Sequence, residues 1–135
     1  MKLSSKGRYS IQLMIDLTIH GTDGAVFLKD IARRQEISEK YLGHLVPLLK
    51  SARLINATRG ANGGFTLAKP ATEISVKDIV TAVEGPISLV EGTKGKATGF
   101  WLKATDAVVG ALEKFNLADI AEEQKNGFVA DNYII

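Results

Sequence analysis

The sequence predicts a mainly α fold that carries one small β-hairpin and ends in a long, separate helix. Three observations lead there. Apolar residues recur at helical spacing through the first 50 or so positions. The period then changes, and Gly60-Ala61-Asn62-Gly63-Gly64 separates two short runs of strand character. A second small, polar stretch, Glu91 to Gly99, precedes a seam of apolar residues at near-heptad spacing.

Residues 6–20 predict a mostly buried helix, because Ile11, Met14, Ile15, Leu17 and Ile19 cover more than one face before Gly21 and Gly24 end it. Leu28 to Gln35 predicts a short second helix, with Leu28, Ile31 and Ala32 on one side. Glu36-Ile37 is a tight connection, and Ser38 is an N-cap with Glu39 just inside the positive helix end. Leu42, Leu45, Val46 and Leu49 form the stripe of the third helix, and Pro47 predicts a bend near Gly43. Leu54 to Arg59 and Phe65 to Ala68 are the hairpin strands. Ser75 and Asp78 make a capping box for a fourth helix through Val76, Ile79, Val80 and Val83, which Gly85-Pro86 stops. The long helix runs roughly from Phe100 to Phe115, and Asn116 caps a short last helix through Glu123.

The 135 residues suit one domain with a real core, and 45% apolar with 24% charged residues is an ordinary globular mix. The absence of cysteine excludes disulfides, zinc fingers, thiolate-held iron–sulfur clusters and thiol nucleophiles. No apolar run approaches the ~20 residues of a membrane-spanning helix. The start, Met1-Lys2-Leu3-Ser4-Ser5-Lys6, is unlike a secretory signal, so a soluble cytoplasmic protein is expected, with no membrane partner. The formal net charge of +2 divides unevenly: residues 1–69 hold 11 basic and 5 acidic side chains, net +6, whereas residues 70–135 are net −4. Such asymmetry fits a first half that meets a polyanion, or simply a solvated surface.

A helix, a short helix, a tight turn, a capped helix and a basic-tipped hairpin follow one another in the order of a winged helix-turn-helix. Ser38, Lys40 and His44 lie on or near the exposed start of the third helix, where they could reach base edges or phosphates. Tyr41 either contacts phosphate or packs on the first helix. Arg59, at the foot of the wing, either enters a minor groove or pairs with a carboxylate. Gly60 to Gly64 lacks the spacing of a nucleotide loop, and His20 and His44 are too few for a metal site. No nucleophile–base–carboxylate set can be assembled, so the chain is read as a non-enzyme without cofactors. Trp101, Ala104, Val108, Ala111, Leu112 and Phe115 form a seam that packs internally or pairs with a second copy.

At these residues the chain resembles the bacterial winged-helix transcription regulators that include the iron–sulfur cluster regulator IscR and the cysteine-metabolism repressor CymR. The resemblance is close up to about Val90. It rests on Lys2-Leu3-Ser4-Ser5-Lys6-Gly7-Arg8-Tyr9, on Ile37-Ser38-Glu39-Lys40-Tyr41-Leu42 and on Arg59-Gly60-Ala61-Asn62-Gly63-Gly64-Phe65. Ser75-Val76-Lys77-Asp78-Ile79 and Val83-Glu84-Gly85-Pro86-Ile87 add to it, and weaker likeness returns around Trp101 and Asp106-Ala107-Val108. The resemblance implies a homodimer joined by the long helix and reading a palindromic operator in double-stranded DNA. It also implies the third helix in the major groove, Arg59 and Gly60 at the wing contact, and Lys2, Lys6, Arg8 and Tyr9 positioning phosphates. Residues 1–86 are then the DNA-binding domain and 87–99 a linker. Residues 100–125 hold the dimerisation helix and the short final helix, and 126–135 a tail.

Two departures matter. Gly43 stands where relatives usually carry Glu, a base-reading position in some of them, so the operator cannot be inherited. Cluster-sensing relatives place three cysteines before the long helix, where Glu91 to Gly99 has none, and Thr98 stands near their histidine ligand. The resemblance is therefore nearest to cluster-free, CymR-like repressors of cysteine or sulfur metabolism. Their signal arrives through O-acetylserine sulfhydrylase, an enzyme that captures C-terminal isoleucine, and here Tyr133, Ile134 and Ile135 are the candidate contact. The alternatives are a protein-interaction adaptor that no longer reads DNA and a regulator that senses a small molecule.

Overall fold

A computed structural model describes residues 4–59, 64–89 and 97–127. Six helices and a two-stranded antiparallel hairpin follow in the order α1 (Ser5–His20), α2 (Leu28–Gln35), α3 (Glu39–Ser51), β1 (Ile55–Thr58), β2 (Gly64–Leu67), α4 (Val76–Glu84), α5 (Thr98–Glu113) and α6 (Leu117–Lys125). Ile55 pairs with Leu67 and Thr58 with Gly64; Gly60 to Gly63 lie outside the described residues.

Local chemistry sets most of the boundaries. The Ser38 hydroxyl accepts from the Tyr41 amide at 3.0 Å and opens α3. Ser75 and Asp78 form the reciprocal capping box of α4. Asn116 accepts from the Asp119 amide at 2.9 Å and starts α6. Between α2 and α3 the chain reverses at Glu36, which adopts the left-handed conformation with φ 55°. Despite Pro47, α3 is helical without interruption from Glu39 to Ser51. A 3-10 turn at Ala71–Glu73, absent from the sequence expectation, leads into α4.

The core is shared by every element except α5. Leu13, Met14 and Leu17 of α1 are buried with Ile31 of α2, Leu42, Leu45 and Leu49 of α3, Ile55 of β1 and Ile79 of α4. The sequence groups α6 with the long helix, yet α6 packs on α1 and puts Leu117 and Ala121 into this same cluster. Two backbone hydrogen bonds hold it there: the Val76 amide donates to the Phe115 carbonyl, and the Leu117 amide to that of Ile74, both at 2.8 Å. Val26 makes an isolated bridge to Phe65 beside the hairpin. Gly64 lies against it with φ 155°, and a Cβ there would sit 2.7 Å from the Val26 carbonyl oxygen, so only glycine fits.

One polar cluster is built into the apolar interior. Asp16 of α1 is fully buried, and Arg34 of α2 donates to both its oxygens, Nε to Oδ2 at 2.9 Å and Nη2 to Oδ1 at 2.8 Å. Gln35 adds a third donor at 2.9 Å. Its own hydrogen bonds to the Asp16 carboxylate hold the Arg34 guanidinium above its ordinary range. The stabilisation from that shift is thus complete at neutral pH and lost only as pH rises through an extreme alkaline value. The clamp fixes α2 on α1, and hence the position of the turn that leads into α3.

Candidate nucleic-acid interface

The face of α3 opposite its buried stripe is open to solvent. Lys40, Gly43, His44 and Pro47 are all exposed there. The helix is held from behind by Leu42, Leu45, Val46 and Leu49 and at its start by the Ser38 cap. Ser38 is exposed, but its hydroxyl oxygen already serves the Tyr41 amide, which leaves its proton free to donate.

Tyr41 is half-buried and packs on the first helix. The ring meets Tyr9 of α1 edge to face, with centroids 5.3 Å apart and planes at 88°. Arg8 lies over the Tyr9 ring at 5.6 Å, and its guanidinium reaches Ser5 at 3.4 Å. The start of α1, with exposed Lys6 and Arg8, is therefore coupled through two rings to the start of α3. Lys2 lies outside the described residues. Arg59 is exposed immediately after β1, at the foot of the hairpin, and Gly60 lies outside the described residues.

Between α3 and the hairpin runs an open cleft of about 540 Å³, lined by Val46, Pro47, Lys50, Ser51, Ala57 and Phe65. Lys50, off the apolar stripe by its spacing, and Ser51 lie one turn beyond Pro47 and are not among the site residues that the sequence singles out. Among the described residues, the start of α1, the outer face of α3 and the foot of the wing thus each expose cationic or polar groups.

The long helix α5 differs from all the others in having no buried residue. Phe100, Trp101 and Leu102 are 60%, 40% and 54% exposed, and Phe115 is 58% exposed. Ala104, Val108 and Leu112 are half-buried and Ala111 is exposed. The helix begins at Thr98, two residues before the expected start, and ends at Glu113, so Phe115 stands in the link to α6. Lys77 of α4 bridges Glu113 at 3.0 Å, and the Leu89 amide donates to Thr105 at 3.2 Å; both tie α5 to the body. Tyr133, Ile134 and Ile135 lie outside the described residues.

A family model described as "Rrf2: Iron-dependent Transcriptional regulator" matches residues 3–123. The chain belongs to the Rrf2 family. It is 39% identical over 124 residues to the regulator CymR of Bacillus subtilis, covering 90% of both proteins. It is 35% identical over 140 residues to IscR of Serratia proteamaculans, covering 97% of this chain and 85% of the relative. The solved structure of B. subtilis CymR superimposes with a TM-score of 0.81 at 38% identity, covering 90% of this chain and 97% of the other. That of T. potens IscR gives 0.81 at 35% identity over 98% and 95% of the two chains. The fold is the winged helix of these Rrf2 regulators, and the chain is a DNA-binding transcriptional regulator, not an enzyme. Among the described residues, no helix is long and apolar enough to cross a membrane.

Proposed function

We propose that this Rrf2 protein is a homodimeric repressor that reads a palindromic operator without an iron–sulfur cluster. The carrying observation is the exposed Lys40–His44 face of capped α3 beside Arg59 at the foot of the wing. Ser38, Lys40, Tyr41 and His44 face the major groove, and Arg59 with Gly60 the minor groove. Lys2, Lys6, Arg8 and Tyr9 fix the register on phosphates. The second copy is joined through α5, whose consecutive exposed Phe100, Trp101 and Leu102 make a patch that isolated soluble chains seldom leave bare.

The iron dependence in the family description does not fit the donor set. Clusters of this kind are held by cysteine thiolates, and the chain has no cysteine. Among the described residues, no group of three His, Cys, Asp or Glu could hold a metal ion either. The signal therefore reaches this regulator by another route. Control of cysteine metabolism is supported by the likeness to a protein described as the global cysteine regulator of B. subtilis. Contact between O-acetylserine sulfhydrylase and Tyr133, Ile134 and Ile135 rests on sequence alone.

Operator binding is expected to fall steeply with salt, because each neutralised phosphate releases counterions. Arg59→Ala should weaken binding about tenfold or more, on the scale of ~1–3 kcal/mol for a specific Arg contact. Fluorescence anisotropy with labelled operator at several salt concentrations measures both. Unchanged affinity in Arg59→Ala would remove the wing from the interface, and a flat salt dependence would remove the phosphate contacts.

A further inference from the structure

We infer that Glu39 is a base-reading residue of α3, accepting a hydrogen bond from the N4 amine of cytosine in the operator and repelling phosphate on unrelated DNA. The inference rests on the proposal that α3 occupies the major groove. Among the described residues, α2, α3, α4 and α6 each carry an acid in the first turn, and three of these acids are already engaged. Asp30 of α2 accepts from Arg33 at 3.4 Å, Asp78 of α4 from the Ser75 amide at 3.0 Å, and Asp119 of α6 from the Asn116 side chain at 3.0 Å. Glu39 of α3 is exposed, and its carboxylate makes neither a hydrogen bond nor an ion pair among the described residues. Its own helix offers no cation, because the residues three and four positions on are Leu42 and Gly43. Helical spacing puts Glu39 in one row with Gly43, Val46 and Lys50, and the later part of that row lines the cleft beside the hairpin. The free carboxylate thus stands at the start of α3, on the side toward the wing.

An unpaired carboxylate on a surface that meets DNA is repelled by the phosphates, and the repulsion grows as water leaves the interface. Only a donor in the groove offsets it. The major-groove donors are the exocyclic amines, N4 of cytosine and N6 of adenine. Adenine sets its N7 acceptor beside the amine, where it opposes the second oxygen of a carboxylate. Cytosine has no acceptor on its groove edge, so it is the base that a carboxylate accommodates. The exposed neighbours are less exacting. Lys40 only donates, and a neutral His44 both donates and accepts, so each finds partners on several bases. Glu39 therefore discriminates twice, by what it accepts at one position of each half-site and by what it repels elsewhere.

The test is selection of sites from randomised duplexes by the full-length protein and its variants, followed by anisotropy titrations at fixed salt. The wild type should enrich cytosine at one position per half-site. Replacing that base with 2-pyrimidinone, which lacks the amine, should weaken binding about tenfold. Glu39→Ala should lose the preference at that position alone and show no further loss on the analogue. In Glu39→Gln the preference should move to adenine, whose N6 and N7 suit a carboxamide. Both variants should bind a scrambled duplex several-fold more tightly than the wild type. Glu36→Gln, which removes the exposed carboxylate of the preceding turn, should also tighten scrambled binding yet keep the cytosine. A carboxylate that only favours the positive end of α3 would lower the melting temperature in Glu39→Ala and leave its base preference unchanged. That result, or a wild-type site without an amine-dependent cytosine, would overturn the inference. Unchanged operator affinity in Lys40→Ala and His44→Ala would instead overturn the placement of α3.

Discussion

Arg34→Ala is expected to destabilise the fold by about 3–5 kcal/mol, because it strands a fully buried carboxylate at Asp16. Gln35 alone would then face that charge, with one hydrogen bond where three existed. Asp16→Ala should cost less. The Arg34 side chain is 27% exposed and can turn its guanidinium to water, whereas the Asp16 side chain is at 0% exposure and cannot follow. Urea denaturation of both single variants and of the double variant checks the ordering, and the cycle isolates the pair's coupling. A loss below about 0.5 kcal/mol in Arg34→Ala, the scale of an ordinary surface change, would show that the clamp does not hold α2 to α1. Operator affinity should fall in the same variants, since the turn that aims α3 follows directly on the clamped helix.

A charge placed on α5 should have the second large effect. Trp101→Glu is expected to weaken self-association by about 30-fold or more, in line with the ~2 kcal/mol or more lost when a central interface tryptophan is truncated. Trp101 is 40% exposed in the single chain, and its ring meets Phe100 edge to face at 5.0 Å, outside the buried core. The substitution should therefore leave the melting transition of the separated chain intact. Sedimentation equilibrium over a range of concentrations reads the change, and operator binding should weaken as two linked half-site contacts become one. A variant that remains dimeric at the wild-type concentration would exclude the Trp101 to Phe115 seam as the interface.

Much of this architecture was legible because it is written locally. Ser38, Ser75 with Asp78, and Asn116 mark helix starts through hydrogen bonds to amides three residues on, and all of these caps are present. The stripe Leu42, Leu45, Val46 and Leu49 is buried as its spacing requires. What escaped depends on pairings between distant elements. Asp16 and Arg34 lie 18 positions apart on different helices, and only a lone carboxylate inside Leu13-Met14-Ile15-Asp16-Leu17 hinted at a buried partner. The docking of α6 escaped for a similar reason: Leu117 and Ala121 form too short a stripe to say which surface it covers. The end of α5 is set from outside, where the Phe115 carbonyl takes the Val76 amide. Of the candidate interface, residue types and order were readable. The ring contact between Tyr9 and Tyr41, which couples the starts of α1 and α3, required coordinates.

Selection of genomic fragments by the purified protein at near-physiological salt tests the central claim most directly. A palindrome should be enriched, with half-site centres one DNA turn, about 34 Å, or a whole number of turns apart. Enrichment of no common sequence, or of a single unpaired half-site, would contradict a dimeric regulator that reads DNA through α3 and the wing.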